Sequence, residues 1–374
     1  MMSEDQHYSA ETKFRVLVTG ASGYIALHCV QQLLEMGYTV RGTVRNLRNS
    51  AKIAPLRDLP YSSERLELVE ADLECPEHWP SAIEGCDYIL HVASPWPIVA
   101  DEHTITVAVQ GTENVLKVAA TVPTVKKIVL TSSCAAINDG HKNESRVFNE
   151  ECWTNLESTK VENYARSKTL AERAAWHFWN NLHFATRFQL TVINPTFVVG
   201  PVLSDQSHGS ATVIARLMDI RTCPAMPKVC LGMVDVRDVA YAHIVAMTTP
   251  ETDGERILVT AMPSVWFADI AQWLNKEFKN QGYKISRMVV PNWLLRLYSK
   301  TKIDPQINAL IYRTGPELRF DNSKSKKLLK LEYRSPQQSI LDMVYSMIDQ
   351  GMIKKTRKYK PRLHDQKPNA SIAA

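Results

Sequence analysis

The chain has 374 residues, 45% of them hydrophobic and 22% charged, with a formal net charge of +5. That is ordinary globular composition, long enough for a large core. Six of the basic residues lie in one run, "KKTRKYKPR" at 354–362, so the body is near neutral and lacks a nucleic-acid footprint.

The N-terminal "MMSEDQHYSAETK" has no apolar stretch of the signal-peptide kind. No window reaches the roughly 18 apolar residues of a membrane span. Seven cysteines are scattered without a C-x-x-C pair. Reduced thiols, a cytoplasmic location and no metal site are the expectation.

The first predicted element, "FRVLVTG" (14–20), is an apolar run that reads as a buried strand. It leads into "VTGASGYIA" (18–26) and a helical "ALHCVQQLLEMG" (26–37) closing at Gly37. Gly20 and Gly23 let the backbone turn tightly against a pyrophosphate, and the helix start offers free N–H groups to it. Ala26, where a small residue lets the helix lie on the sheet, completes a dinucleotide-binding turn. Its cofactor contacts are expected from Gly20, Ser22, Gly23, Tyr24 and Ile25.

The next strand, "TVRGTVR" (39–45), ends in Arg45, with no acid before Asp58. NAD sites place an acid here for the ribose 2′-hydroxyl. A guanidinium suits a 2′-phosphate instead, and Lys52 can add a second charge, so NADP(H) is the expected cofactor. Strand three, "RLELVEAD" (65–72), ends at Asp72. This carboxylate can bracket an adenine edge or cap the following helix.

"YILHVAS" (88–94) and "KKIVLTSS" (126–133) are further strands on either side of a helical "HTITVAVQGTENVLKVAAT". His91, in the former, is expected to pack beside the cofactor. "VENYARSK" (161–168) then places Tyr164 and Lys168 on one face of a helix. A carbonyl receiving a hydride must also receive a proton, and free tyrosine, with a pKa of about 10, is a poor donor near neutrality. A neighbouring ammonium lowers that value, and a serine hydroxyl from "TSSC" can hold the carbonyl oxygen. "LTVINPT" (190–196) follows as another strand.

The alternation predicts an α/β fold, a Rossmann-type doubly wound parallel sheet with a smaller mixed α/β substrate domain. Residues 14–196, with about 229–250, form the expected NADP-binding domain. Residues 197–228 and 251–350 form the substrate-binding domain, and 1–12 and 354–374 are expected as disordered tails. "NWLLRLYSK" (292–300) is amphipathic and reads as a packed helix.

In order along the chain, "VTGASGYIA", "GYTVRGTVR", "EADL", "GCDYILHVASP", "AVQGTENVL", "VLTSS", "YARSK", "NPTFVVGP", "VDVRDVAYAH" and "FDNSKSKKLL" resemble an extended short-chain dehydrogenase/reductase. The resemblance is to the branch of dihydroflavonol reductases, cinnamoyl-CoA reductases and related aldehyde and ketone reductases, and runs from about 14 to 350. It implies a catalytic set of Ser133, Tyr164 and Lys168, with Ser132 structural. It also implies 2′-phosphate contacts at Arg45 and Lys52, adenine contacts at Asp72 and Leu73, and cofactor contacts at Val92, Ala93 and Ser94. Pro195 to Val198 line the nicotinamide, and Asn138 stands where dihydroflavonol reductases contact substrate.

The segment between Ser133 and Tyr164 is shorter than in plant flavonoid enzymes. The tryptophan–tyrosine–cysteine signature of plant cinnamoyl-CoA reductases is absent. Ala26 resembles the yeast-type reductases. The activity implied is NADPH-dependent reduction of a ketone or aldehyde on a hydrophobic small molecule. A 3β-hydroxysteroid-type dehydrogenase, a sugar-nucleotide epimerase and a non-enzymatic dinucleotide sensor are the alternatives. A small-molecule carbonyl or alcohol is the expected partner, without nucleic acid or stable membrane insertion.

Overall fold

The computed structural model describes residues 14–95, 100–141, 146–184, 186–206, 209–299, 314–315 and 317–362. The N-terminal tail expected at 1–12 and the part of the C-terminal one beyond 362 lie outside them. The chain forms two compact units. The first takes the chain up to Val198, then Gly232–Ser264 and Glu317–Arg334; the second takes Val199–Leu231, Val265–Pro316 and the chain from Ser335.

In the first unit, β1 (Arg15–Val18) leads to α1 (Tyr24–Glu35), β2 (Thr39–Val44), α2 (Ser50–Arg57) and β3 (Leu66–Glu70). Then come β4 (Tyr88–His91), α3 (Glu102–Ala119), β5 (Lys127–Thr131), α4 (Asn163–Asn180) and β6 (Gln189–Pro195). Next are α5 (Val236–Thr248), β7 (Glu255–Val259) and α6 (Ser323–Leu329). The seven strands make one sheet in the order β7-β6-β5-β4-β1-β2-β3, and every pairing is parallel.

A parallel sheet is covered on both faces, which is why its strands read as apolar runs and not as alternations. Val16, Leu17 and Val18 are each fully buried. Helices α1 with α5, and α3 with α4, pack in pairs along the sheet. Leu17, Ile89, Ile128, Leu190 and Val192 of four strands form one core with Val115 and Leu116 of α3 and Ala175 and Trp179 of α4. Each such aliphatic side chain contributes roughly 1.5–3 kcal/mol on burial. Helix α3 starts from a capping box in which Thr104 N–H donates to Asp101 Oδ1 (2.8 Å) and Asp101 N–H to Thr104 Oγ1 (3.1 Å). It has a glycine at 111 because a Cβ there would stand 2.7 Å from Leu73 Cβ.

The domain boundaries differ from the expectation in two places. Residues 255–259, which fall within the expected substrate domain, are β7, the edge strand of the main sheet, paired in parallel with β6. Residues 317–334 also belong to the first unit. Arg319–Phe320 pairs in parallel with Val147–Phe148, and Asn322 Nδ2 donates to Thr260 O (2.7 Å).

The second unit contains helices Gly209–Leu217, Phe267–Phe278, Asn292–Ser299 and Pro336–Asp349. The last packs on the first two, with the Phe278 and Tyr345 rings 4.9 Å apart. Residues 354–362, expected as part of a disordered tail, instead lie on this unit. Tyr283 Oη donates to Lys354 O (3.2 Å), Lys360 N–H to Gln281 Oε1 (3.1 Å) and Tyr359 Oη to Asp349 Oδ1 (3.1 Å). Thr356 and Arg362 add bonds to Gln281 O and Asp342. The run is polar, so no apolar period announces it. In Asn292–Ser299, expected to pack, Leu295 is buried but Trp293, Leu294 and Leu297 stay exposed. No helix among the described residues is long and apolar enough to cross a membrane.

Candidate active site

The strand order reverses between β1 and β4, which pair with each other while β2 lies on the other side of β1. Ligands of open α/β sheets bind at such a point, beyond the carboxyl ends of the strands. The glycine turn occupies that place. Gly20 has φ +63°, and its N–H donates to Thr43 Oγ1 (2.9 Å) while Gly23 N–H donates to Gly20 O (2.8 Å). A Cβ on Gly20 would lie 3.1 Å from Ala93 Cβ, so backbone replaces side chain at the floor of the turn.

Helix α1 begins at Tyr24 with no side-chain cap and no acid in its first turn. No carboxylate therefore competes for its leading N–H groups, which suits an anion. Ser22 and Ile25 are half-buried around it. The Tyr24 ring meets His28 edge-on at 5.9 Å.

Arg45 and Lys52 follow β2, Arg45 exposed and Lys52 half-buried in the first turn of α2. Among the described residues no hydrogen bond or ion pair engages the Arg45 guanidinium. Arg48, also exposed on this turn, is a third cation that the spacing argument passed over.

Asp72 caps its own turn, with Glu74 N–H donating to Oδ1 (3.1 Å), while Leu73 packs against Gly111 and the core of α3. The short helix Pro76–His78 that follows begins at Cys75 without a side-chain cap, so Asp72 bonds its own turn and does not cap that helix. Next to it, Cys75, Glu77 and His78 bring three potential ligand atoms within 4.8 Å of one another, a grouping that linear spacing rules overlook. None of the seven cysteines forms a disulfide.

At the end of β4, Val92, Ala93 and Ser94 are half-buried. Ala93 N–H donates to Thr19 Oγ1 (2.9 Å), whose hydroxyl is 2.9 Å from His91 Nδ1. Whether Nδ1 donates or accepts there is set by the tautomer of the ring. The other ring nitrogen, Nε2, is buried and has no partner among the described residues. Burial, then the charge of Lys168, pushes the His91 pKa down to about 3, so the ring is neutral.

Ser133 follows β5 and begins a short turn at Cys134–Ala136. Its Oγ accepts from Ala135 N–H (3.1 Å), which leaves its own proton for an outside acceptor. Asn138, just beyond, has a buried Oδ1 without a partner among the described residues. Tyr164 is half-buried in the first turn of α4, packed by Ala135, Val161 and Ala165. Lys168, one turn on, is buried, and desolvation lowers its pKa to about 8 although Glu172 works against the fall. Pro195 ends β6, and Val198 lies half-buried beyond it.

Three residues absent from the sequence reading sit behind this group: Glu172, Asn194 and Arg256. Glu172 is 1% exposed. Its signal was available, since an acid four places after Lys168 shares the inward face of α4.

A glycine turn at the switch point of a parallel sheet, with a tyrosine–lysine helix beside it, defines a nucleotide-dependent α/β fold. The model of the NAD dependent epimerase/dehydratase family matches residues 16–260, and the chain belongs to that family, the extended short-chain dehydrogenases/reductases. Cinnamoyl-CoA reductase 1 of Arabidopsis thaliana is 34% identical over 341 residues, covering 90% of each chain. The structure of yeast methylglyoxal/isovaleraldehyde reductase complexed with NADPH superposes with a TM-score of 0.73 at 27% identity, over 90% of this chain and 98% of that one. Vestitone reductase from alfalfa (Medicago sativa) gives 0.71 at 27%, over 91% and 100%.

Proposed function

We propose that the protein is an NADPH-dependent reductase that converts a ketone or aldehyde on a hydrophobic small molecule to the alcohol. One observation carries the reading: the buried Lys168 stands one helical turn from Tyr164, on the helix next to the Ser133 turn. The similarity to reductases, one of them in complex with NADPH, supports it.

The residues present fit the cofactor. The Gly20–Gly23 turn and the start of α1 would hold the pyrophosphate. Arg45, with Lys52, would hold the 2′-phosphate. Asp72 and Leu73 would lie at the adenine, Val92, Ala93 and Ser94 along the middle, and Pro195 to Val198 at the nicotinamide. When bound, the cofactor supplies a hydride to the carbonyl carbon.

The protein's own groups handle the oxygen. Ser133 Oγ donates to the carbonyl oxygen while accepting from Ala135. Tyr164 delivers its phenolic proton as negative charge develops there. Lys168, as ammonium, stabilises the phenolate that remains. Asn138, whose amide oxygen has no partner among the described residues, would accept a donor from the substrate.

Single-turnover oxidation of NADPH by a responsive carbonyl tests the assignment. Tyr164→Phe should keep the fold and NADPH affinity and lose about 10²–10⁴ in rate, the range for a positioned acid. A native rate in that variant would remove Tyr164 from the chemistry.

A further inference from the structure

Helix α4 carries Glu172 one turn after Lys168, and this carboxylate is more heavily bonded than any catalytic role for it would require. Oε2 accepts from Ser132 Oγ (2.5 Å) and from Asn194 Nδ2 (2.8 Å). Oε1 accepts from Arg256 Nε and from Trp176 Nε1 (3.4 Å). Arg256 is itself held, with Nη1 donating to Glu150 O (2.6 Å) and Cys152 O (2.9 Å) and Cζ 3.6 Å from the Trp153 ring centre. Asn194 Nδ2 donates a second time, to Ser133 O (3.2 Å), and Ser132 N–H donates to Ile193 O (2.8 Å).

One carboxylate thus joins α4 to the ends of β5, β6 and β7, and both serines of the Ser132–Ser133 turn are bonded into it. A buried ion pair is a poor source of stability, because desolvation offsets most of its attraction. What such a network does supply is a single geometry. We propose that Glu172 is a positioning residue: charge-balanced by Arg256, its carboxylate fixes the Ser132–Ser133 turn against α4, so that the Ser133 hydroxyl keeps one place relative to Tyr164 and Lys168. The proposal rests on the reading of those three residues given above.

A second consequence is electrostatic. Among the described residues, the titratable groups around Lys168 include Tyr164, one turn earlier on its own helix, His91 from β4, which is neutral, and Glu172, which is paired with Arg256 from β7. Glu172 favours the ammonium, and removing its charge leaves desolvation unopposed.

The test uses the full-length protein and three variants: Glu172→Gln, Glu172→Asp and Ser132→Ala. Ser132→Ala removes one bond to the carboxylate and keeps both partners of the Glu172–Arg256 pair. Turnover, NADPH affinity and the thermal transition are measured together. The Lys168 titration is followed by carbon-13 NMR of side-chain-labelled lysine, assigned through Lys168→Arg. Glu172→Gln should lower kcat by about 10–100-fold, the scale of a misplacement of about 1 Å. NADPH affinity should change little, and the Lys168 midpoint should move down from about 8. Glu172→Asp should restore part of kcat and the native midpoint. Ser132→Ala should lower kcat with the midpoint unchanged.

A Glu172→Gln protein with native kcat and native midpoint would overturn the proposal. So would a loss of kcat that only tracks the thermal transition while the midpoint stays in place. If Glu172→Gln does not fold, native kcat in Ser132→Ala overturns it, and reduced kcat there supports it. If the native protein reduces no carbonyl, the reductase reading fails separately. The titration then decides on Glu172 alone, an unchanged midpoint in Glu172→Gln counting against it.

Discussion

Lys168 sits in an environment that works against its own charge. Its pKa falls from 10.5 to about 8 through burial, so the ammonium is present below about pH 8 and lost above it. Carbonyl reduction should therefore slow as pH rises through 8, seen as an alkaline limb in kcat. Lys168→Arg, whose guanidinium keeps its proton beyond pH 12, should remove that limb while lowering the rate overall. At the other end of the site, the Arg45 guanidinium is exposed and has no partner among the described residues. Arg45→Asp should reverse a preference for NADPH into one for NADH, measured by titrating both cofactors against both proteins. Equal native affinities would sink that reading. The placement of Tyr164 and Lys168 on one helix, and of the glycines in the turn after β1, was legible in the sequence because each belongs to a short local pattern. Glu172 was passed over, because an acid on a helix ordinarily reads as solvated surface, although its i, i+4 spacing from Lys168 put it on the inward face. Its burial comes from Ser132, Asn194 and Arg256, the last of them 84 positions away.

Among the elements, α3 depends on close approach. The Cβ of an alanine at 111 would meet Leu73 Cβ at 2.7 Å, and Leu73 is anchored by the same core. Gly111→Ala should destabilise the protein by about 1–3 kcal/mol, the usual cost of overpacking, despite the better helix propensity of alanine. Urea unfolding of the two proteins checks this, and a more stable variant would show that the loop after β3 yields easily. Strands β1, β4, β5 and β6 were readable from their apolar runs, since burial on both faces demands them. β7 was misplaced because a five-residue strand after a stretch of mixed pattern carries no mark of which sheet receives it. Its parallel partner β6 lies some 60 residues earlier in the chain. The 317–334 return and the docked 354–362 run were missed for the same reason: each is tied by distant backbone and side-chain bonds, not by local periodicity.

For the molecule as a whole, two of the buried histidines, His91 and His243, contribute to the response to acid. His91 titrates at about 3 and His243 at about 4, both displaced downward from 6.5 by burial. The His243 ring is enclosed by Thr131 Oγ1 (2.6 Å) at Nε2 and Val239 O (2.7 Å) at Nδ1. Both residues stay neutral in the folded protein, while the unfolded chain takes up protons below about pH 6.5. Their contribution is complete above that pH and is lost as pH falls toward 4, at up to roughly 1.4 kcal/mol per pH unit for each histidine. Thermal unfolding recorded from pH 7 to pH 4.5 should show a steady fall in Tm. Replacing His243 with asparagine should flatten that slope, whatever it does to Tm at pH 7.

The distance along the chain between Glu172 and Arg256 also matters during synthesis. A ribosome releases the carboxylate of α4 well before the guanidinium that balances it, and before the strand that closes the sheet beside β6. Until that strand emerges, a nascent chain that buried Glu172 would hold an uncompensated negative charge in its interior. Completion of the nucleotide-binding unit therefore waits on its own later segments, so the growing polypeptide stays open, and exposed to chaperones, for the time needed to translate them.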